Sequence, residues 1–246
     1  GAVGRAILAQ IGVDSLVHVV EIGGVRAEVD PELPFEALRE RAEASDVRCA
    51  DAAAAARMRE AIDAAREQGD SLGGIVEVRV RGLPPGLGSF VQWDRKLPSR
   101  IAAQVMGIQA FKGVEVGLGF ACASLPGSQV HDEIAWEAGR GYYRRTNRAG
   151  GFEGGMTTGE EVVVRGVMKP ISTLYRPLGS VDMATHEPYR ASVERSDICA
   201  VPAAGVIMEA VILFTLADAL LEQFGGDTVA ELVARHAAYL ERLRQA

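Results

Sequence analysis

Cysteine is scarce in this chain of 246 residues: Cys49, Cys122 and Cys199 stand far apart, are odd in number, and form no CxxC. That excludes a disulfide framework and a zinc knuckle, and leaves three reduced, mostly buried thiols in a cytoplasmic protein as the expectation. Basic blocks are missing as well. Asp and Glu number 33 against 26 Lys and Arg, a net charge of −7, so nucleic acid is not an expected partner: neutralising phosphates requires a basic face. A small anion remains compatible with an acidic chain, because a local group of Arg and Lys serves one site. Histidines are only four and scattered (His18, His131, His186, His236). His131-Asp132-Glu133 is the densest potential ligand group, but adjacent residues rarely converge on one ion without other ligands, and no metal is expected. No signal peptide is visible, since Gly1–Arg5 is followed by only a short apolar stretch. Low-complexity linkers are absent, and 48% hydrophobic with 24% charged residues is the composition of a soluble globular chain with ample core material.

One long hydrophobic run is present. Ile198 to Leu221 is nearly all apolar, yet it contains Pro202, Glu209 and Asp218. Charges inside a lone membrane span are costly, so a buried central helix is the expectation and no membrane partner is implied.

Strand-like alternation marks Leu16–Ile22, Ile75–Val80 and Glu161–Met168. Helical periodicity marks Phe35–Ala44, Ala52–Gln68 and Arg100–Phe111. The apolar helix after Pro202 is expected to stop at Phe224-Gly225-Gly226, and a last amphipathic helix to run over Val229–Arg244, capped by Asp227 or Thr228. Strands and helices mix without a βαβ rhythm, which predicts one α+β domain over 1–246.

Several motifs invite chemistry. Gly69-Asp70-Ser71-Leu72-Gly73 matches G-x-S-x-G, but a nucleophile elbow needs a strand before the serine and a helix after it, and here the order is reversed. A Gly-rich turn in which Asp70 and Ser71 bond backbone explains the residues better than a hydrolase nucleophile. Gly150 to Gly159 is the densest glycine run; it has neither the GK[ST] ending of a phosphate-binding loop nor the strand–GxGxxG–helix order of a dinucleotide fold. Lys169-Pro170-Ile171-Ser172-Thr173 offers one cation, two hydroxyls and a stiff turn, which suits a phosphate. Arg195-Ser196-Asp197 sets a cation and a carboxylate before the apolar helix, as an ion pair, a helix-start cap or a functional pair.

The order of these segments carries more than any one of them. Gly69–Gly74 is followed by Gly82-Leu83-Pro84 with Gly86-Leu87-Gly88, then Gly107-Ile108-Gln109-Ala110-Phe111-Lys112-Gly113. Gly127-Ser128, His131-Asp132-Glu133 and Thr146-Asn147-Arg148-Ala149-Gly150-Gly151 come next. Lys169–Thr173, Arg195-Ser196-Asp197 and Phe224-Gly225-Gly226-Asp227 complete the series. This succession resembles the chorismate synthase family over the whole chain, Leu97-Pro98-Ser99 being a local departure from the usual Leu-Asp-Ala. The resemblance implies a β-α-β sandwich, with antiparallel sheets enclosing a helical layer. It also implies a cytoplasmic homotetramer that uses reduced FMN, with NADP or an outside reductant as the source of electrons. The reaction it implies is the 1,4-elimination of phosphate from 5-enolpyruvylshikimate 3-phosphate to give chorismate in aromatic amino acid biosynthesis. By the family pattern Gln109, Ala110, Gly154, Lys169, Pro170, Ile171, Ser172, Thr173 and Arg195 contact the flavin, and Asp197 assists proton removal. The family's two active-site histidines match none of the four here. The expectation is therefore a domain truncated at its N-terminus, catalytic as part of a complete protein and not by itself. The alternative is a non-catalytic module that keeps an FMN or phosphate pocket or an oligomer surface.

Overall fold

The computed structural model describes residues 1–245. The chain opens with α1 (Ala2–Ala9), the hairpin β1 (Asp14–Ile22) and β2 (Val25–Arg26), the helices α2 (Phe35–Ala44) and α3 (Ala52–Glu67), and β3 (Gly74–Arg81). It continues through α4 (Leu97–Met106), β4 (Phe111–Val116) and two short 3₁₀ turns. Three small hairpins and a long strand follow: β5 (Ile134–Glu137) with β6 (Gly141–Arg144), β7 (Phe152–Glu153) with β8 (Met156–Thr157), β9 (Val162–Met168), and β10 (Gly179–Val181) with β11 (Pro188–Arg190). Two helices close it, α5 (Val201–Phe224) and α6 (Val229–Gln245).

The mixed α+β class predicted from sequence is the class observed. Five strands form one antiparallel sheet in the order β2-β1-β3-β9-β4. Its two faces follow from the alternation of the central strands. Val76, Val78 and Val80 of β3 are buried on one face, while Glu77, Arg79 and Arg81 alternate with them onto the other. In β9 Val162 and Val164 are buried and Arg165 points the opposite way.

Helix α5 packs on the valine face, against β1, β3 and β9, with α1 and α4 on either side. It is long and apolar enough to cross a membrane by length and composition, but it packs as a core helix. Met208, Ile212, Leu213, Leu216 and Leu220 are at most 2% exposed, and each such burial stabilises by about 1.5–3 kcal/mol. Glu209 sits in the same helix, 6% exposed, where it accepts a hydrogen bond from Ser15 Oγ at 2.7 Å and pairs with Arg5 at 2.8 Å. On the other face of the sheet α2 covers β1 through Leu16, Phe35, Leu38 and Ala50. The side of α5 away from the sheet carries Val206, Ile207, Phe214 and Leu221 exposed. Among the described residues a large sheet therefore covers the helical layer on one side.

Local chemistry sets the helix ends. Asp51 caps α3 by accepting from Ala53 N and Ala54 N. Thr228 and Glu231 form a capping box for α6: Glu231 N donates to Thr228 Oγ1, and the Glu231 carboxylate accepts from Asp227 N and Thr228 N. Of the two residues predicted to cap that helix, Thr228 does so. The helix expected over Arg100–Phe111 is displaced. It runs Leu97–Met106 with Pro98 in its first turn and ends at Gly107, and Phe111 begins β4 opposite Met168.

Candidate functional site

The Lys169–Thr173 run leaves the end of β9, beyond Met168. Its first residue continues the ladder: Lys169 N donates to Ala110 O at 2.9 Å, so Gln109-Ala110, in the turn just before β4, lies directly alongside. Ala110 holds φ +68°, a conformation uncommon for a residue with a Cβ. It turns the chain out of α4 and into the sheet.

The Gly69–Gly74 turn sits against this run. It joins a helix (α3) to a strand (β3), the order read from sequence as incompatible with a nucleophile elbow. Asp70 Oδ1 accepts from Ser71 N at 2.8 Å, and Ser71 Oγ, 5% exposed, donates to Ile171 O at 2.6 Å. The hydroxyl is committed to backbone and is no nucleophile. Gly73 explains its own identity. A Cβ there would stand 2.8 Å from Pro170 N and 2.9 Å from Lys169 C, and closer still to the Met168 carbonyl, so no larger residue fits.

Arg195-Ser196-Asp197 reaches the same turn from the other side. Leu72 N donates to Ile198 O at 2.8 Å, and Leu72 pairs with Cys199 as a parallel bridge. Ser196 N approaches Tyr175 Oη at 3.5 Å, while Arg176 N donates to Gly69 O at 2.9 Å. The Lys169 ammonium, the Ser172 and Thr173 hydroxyls, the Arg195 guanidinium and the Asp197 carboxylate make no side-chain hydrogen bond or ion pair among the described residues. Lys169, Ser172, Arg195 and Asp197 are exposed. Together they are two cations, two hydroxyls and one carboxylate, all without partners, on two segments tied to one turn.

Gly154 is elsewhere. It lies in the β7–β8 turn with φ +61° and open space before its Cα. That hairpin packs by Gly88 and Leu97, past the Val162 end of β9, and the length of β9 puts roughly 20 Å of strand between it and Lys169. The chain thus brings Gln109, Ala110, Lys169–Thr173, Arg195 and Asp197 into one neighbourhood and holds Gly154 at the opposite end of the sheet. Thr157 fixes that second end: its Oγ1 donates to Pro84 O at 2.6 Å and accepts from Leu87 N at 2.8 Å.

The other early candidates have structural roles. Asp132 accepts from Thr146 Oγ1 and from the amides of Arg148 and Ala149. Burial pushes its carboxyl up, but these bonds outweigh it and hold the group below the usual aspartate range. It is a loop anchor, and no His, Cys, Asp and Glu cluster able to hold a metal occurs among the described residues. His236 packs its ring edge-on to Phe224 at 5.5 Å between centroids, and burial lowers its pKa.

Sequence reasoning missed a charged cluster on the face of the sheet away from α5. Glu77, 5% exposed, accepts from His18 Nε2, Arg79 Nε and Arg165 Nη1 at 3.0, 2.7 and 3.1 Å. Arg165 also reaches Glu115 and the Gly117 carbonyl. A signal was present, since Glu77 and Arg79 alternate with three valines, but the partner His18 stands 59 positions away. Beside the cluster lies a cavity of about 520 Å³ lined by Ile75, Gly113, Leu118, Phe120 and Val167 among others.

Comparison with known proteins identifies the family. The chorismate synthase family model matches residues 1–221. Chorismate synthase of Bacillus cytotoxicus is 59% identical over 242 residues, 97% of this chain and 62% of its own length. That of Geobacillus thermodenitrificans is 58% identical over 229 residues, 93% of this chain and 59% of its own. The chain therefore spans about 60% of the length of the curated relatives it matches. A solved structure described as the crystal structure of chorismate synthase superposes with a TM-score of 0.84 at 40% identity, covering all of this chain and 68% of that one. With a model match over most of the chain, relatives near 60% identity and a shared fold, the chain belongs to the chorismate synthase family.

Proposed function

We propose that this chain carries part of a chorismate synthase site: reduced-FMN-dependent 1,4-elimination of phosphate from 5-enolpyruvylshikimate 3-phosphate, giving chorismate. The observation that supports it most is the convergence of Lys169–Thr173 and Arg195–Asp197 on the Gly69–Gly74 turn. The donor set suits a flavin mononucleotide. An ammonium, two hydroxyls and a guanidinium without partners match phosphate and the polar edge of the ring, while Gly154, at the other end of the sheet, lies outside this group. When bound, reduced FMN supplies electron density that helps the allylic phosphate to leave.

The residues of this chain have simpler tasks. Lys169 and Arg195 offset the charge of phosphate oxygens, and Ser172 and Thr173 orient them by donating hydroxyl hydrogens. Ala110 and Gln109 shape the wall next to Lys169. Asp197 offers the carboxylate that assists removal of the ring proton. As the C–O bond to phosphate and the C–H bond break, a second ring double bond forms and no net electrons are exchanged. The homotetramer and the cytoplasmic setting belong to the same proposal, the latter supported by three cysteines that stand free.

The test is an anaerobic titration with FMN and 5-enolpyruvylshikimate 3-phosphate, following flavin absorbance and chorismate. Lys169 is exposed, so Lys169→Ala should leave the fold intact and weaken FMN binding roughly tenfold, the loss of one charge-assisted contact. Chorismate formation supports the lyase. Flavin binding without chorismate supports the binding module. Absence of flavin binding, or binding indifferent to Lys169→Ala, sinks this site.

A further inference from the structure

The structure assigns a role to the Gly69–Gly74 turn: it is a positioning clip that sets the spacing between the phosphate-binding run and the segment bearing Arg195 and Asp197. Two consecutive residues act in opposite directions. The Ser71 side chain grips Lys169–Thr173 through Ile171 O at 2.6 Å, and the Leu72 backbone grips the other segment through Ile198 O at 2.8 Å. The flanking residues reinforce the hold. Gly73 admits the Lys169–Pro170 backbone to a distance no Cβ would allow, Gly69 O receives Arg176 N, and Asp70 fixes the Ser71 amide. Gly73 O in turn accepts from Gly23 N at 3.0 Å, which anchors the clip to the β1–β2 hairpin.

Neither gripped segment has regular structure of its own. Residues 169–178 and 191–198 contain no helix or strand; the β10–β11 hairpin and the bond from Ala191 N to Leu178 O join their far ends, and nearer Lys169 and Arg195 the hydrogen bond between them is Ser196 N to Tyr175 Oη. A site made of two such segments holds its geometry only if a third element ties them, because catalytic and anion-binding groups must be kept within about half an ångström of their working places. Ser71 is buried, its hydroxyl has one acceptor, and that acceptor is the carbonyl in the middle of the five-residue run. Its conservative partner in chemistry is threonine, which keeps the donor; alanine removes it and leaves the half-buried Ile171 carbonyl without its bond. Ser71 thus acts through Lys169–Thr173 and touches no ligand itself.

This inference rests on the flavin-site reading above, and the experiment separates the two. FMN affinity is measured for the unsubstituted protein, Ser71→Ala and Ser71→Thr, together with the melting temperature and amide hydrogen exchange of each. Ser71→Ala is expected to bind FMN roughly tenfold more weakly, the loss of one buried hydrogen bond. Exchange should quicken at 171–176 and 196–199 while the β3 and β9 amides keep their protection, and Ser71→Thr should restore both readouts. A purely structural serine would lower the melting temperature and quicken exchange throughout the sheet, with affinity unchanged in the folded fraction. That result overturns the clip and leaves the flavin site standing, as does Ser71→Ala binding FMN like the parent. No FMN binding by the unsubstituted protein overturns the flavin site and this role with it. Should Ser71→Ala not fold, Ser71→Cys, nearly isosteric with a weak donor, carries the same readouts.

Discussion

His18 and Glu77 form a buried pair across adjacent antiparallel strands, Nε2 to Oε1 at 3.0 Å, with side chains only 3% and 7% exposed. Desolvation alone would raise the Glu77 carboxyl, but the hydrogen bond and charge of His18 and the neighbouring Arg79 outweigh it and bring the pKa down to about 2. Arg165 adds a third donor.

Acid should therefore unfold this protein in a defined window. The unfolded carboxyl binds its proton near pH 4.5 and the folded one near pH 2. The stabilisation from Glu77, about 3 kcal/mol, is present above the first value and is lost as pH falls towards the second. Urea unfolding between pH 6 and pH 2 should show that decline, and Glu77→Gln should flatten it while lowering stability at neutral pH. A Gln variant with the parent's acid profile would show that another carboxylate governs the window.

Glu209 places a charge in the core helix, and its partners explain why it is tolerated. Glu209→Ala would strand the buried Ser15 hydroxyl and free Arg5 from α5. It should cost about 2–4 kcal/mol in chemical denaturation, whereas Glu209→Gln, which keeps an acceptor for Ser15, should cost less. Equal losses for both variants would mean that packing, and not the polar contacts, sets the cost.

Thr157 is 4% exposed and uses its hydroxyl both as donor and as acceptor. Thr157→Val keeps the shape and leaves Pro84 O and Leu87 N unpaired. The expected loss is about 2 kcal/mol, with faster amide exchange in the β7–β8 hairpin as the local signature. A neutral valine would show that water replaces both bonds.

The parts of the fold with one buried face were legible from sequence. β3 and β9 alternate because one face meets α5, and α2, α3 and α6 each bury one stripe, whereas residues 15–19 of β1 are buried in succession between α5 and α2. The hairpins β5–β6 and β10–β11 were not legible, since Ile134, Trp136, Tyr142, Val181 and Tyr189 are exposed and no buried face imposes a period. β4 was hidden because Phe111 falls in step with Ile101 and Val105 as well as in the sheet; Gly107 decides against the helix. Short motifs marked the candidate site residues, but their relations depend on distant partners. Ser71 and Ile171 are a hundred positions apart, and no local pattern announces that bond.

The alternation of β9 has a consequence for how this protein tolerates change. Its valines fix the register, and a slip by one residue would carry Arg165 into the core and Val164 out of it. Residues that never meet a ligand thereby set the address at which Lys169 and the four residues after it emerge. The exposed side chains of Lys169 and Ser172 can be exchanged without moving their neighbours, whereas a single-residue insertion between Val162 and Met168 would displace all five residues at once. For β9, length and the alternation of its valines together set that address.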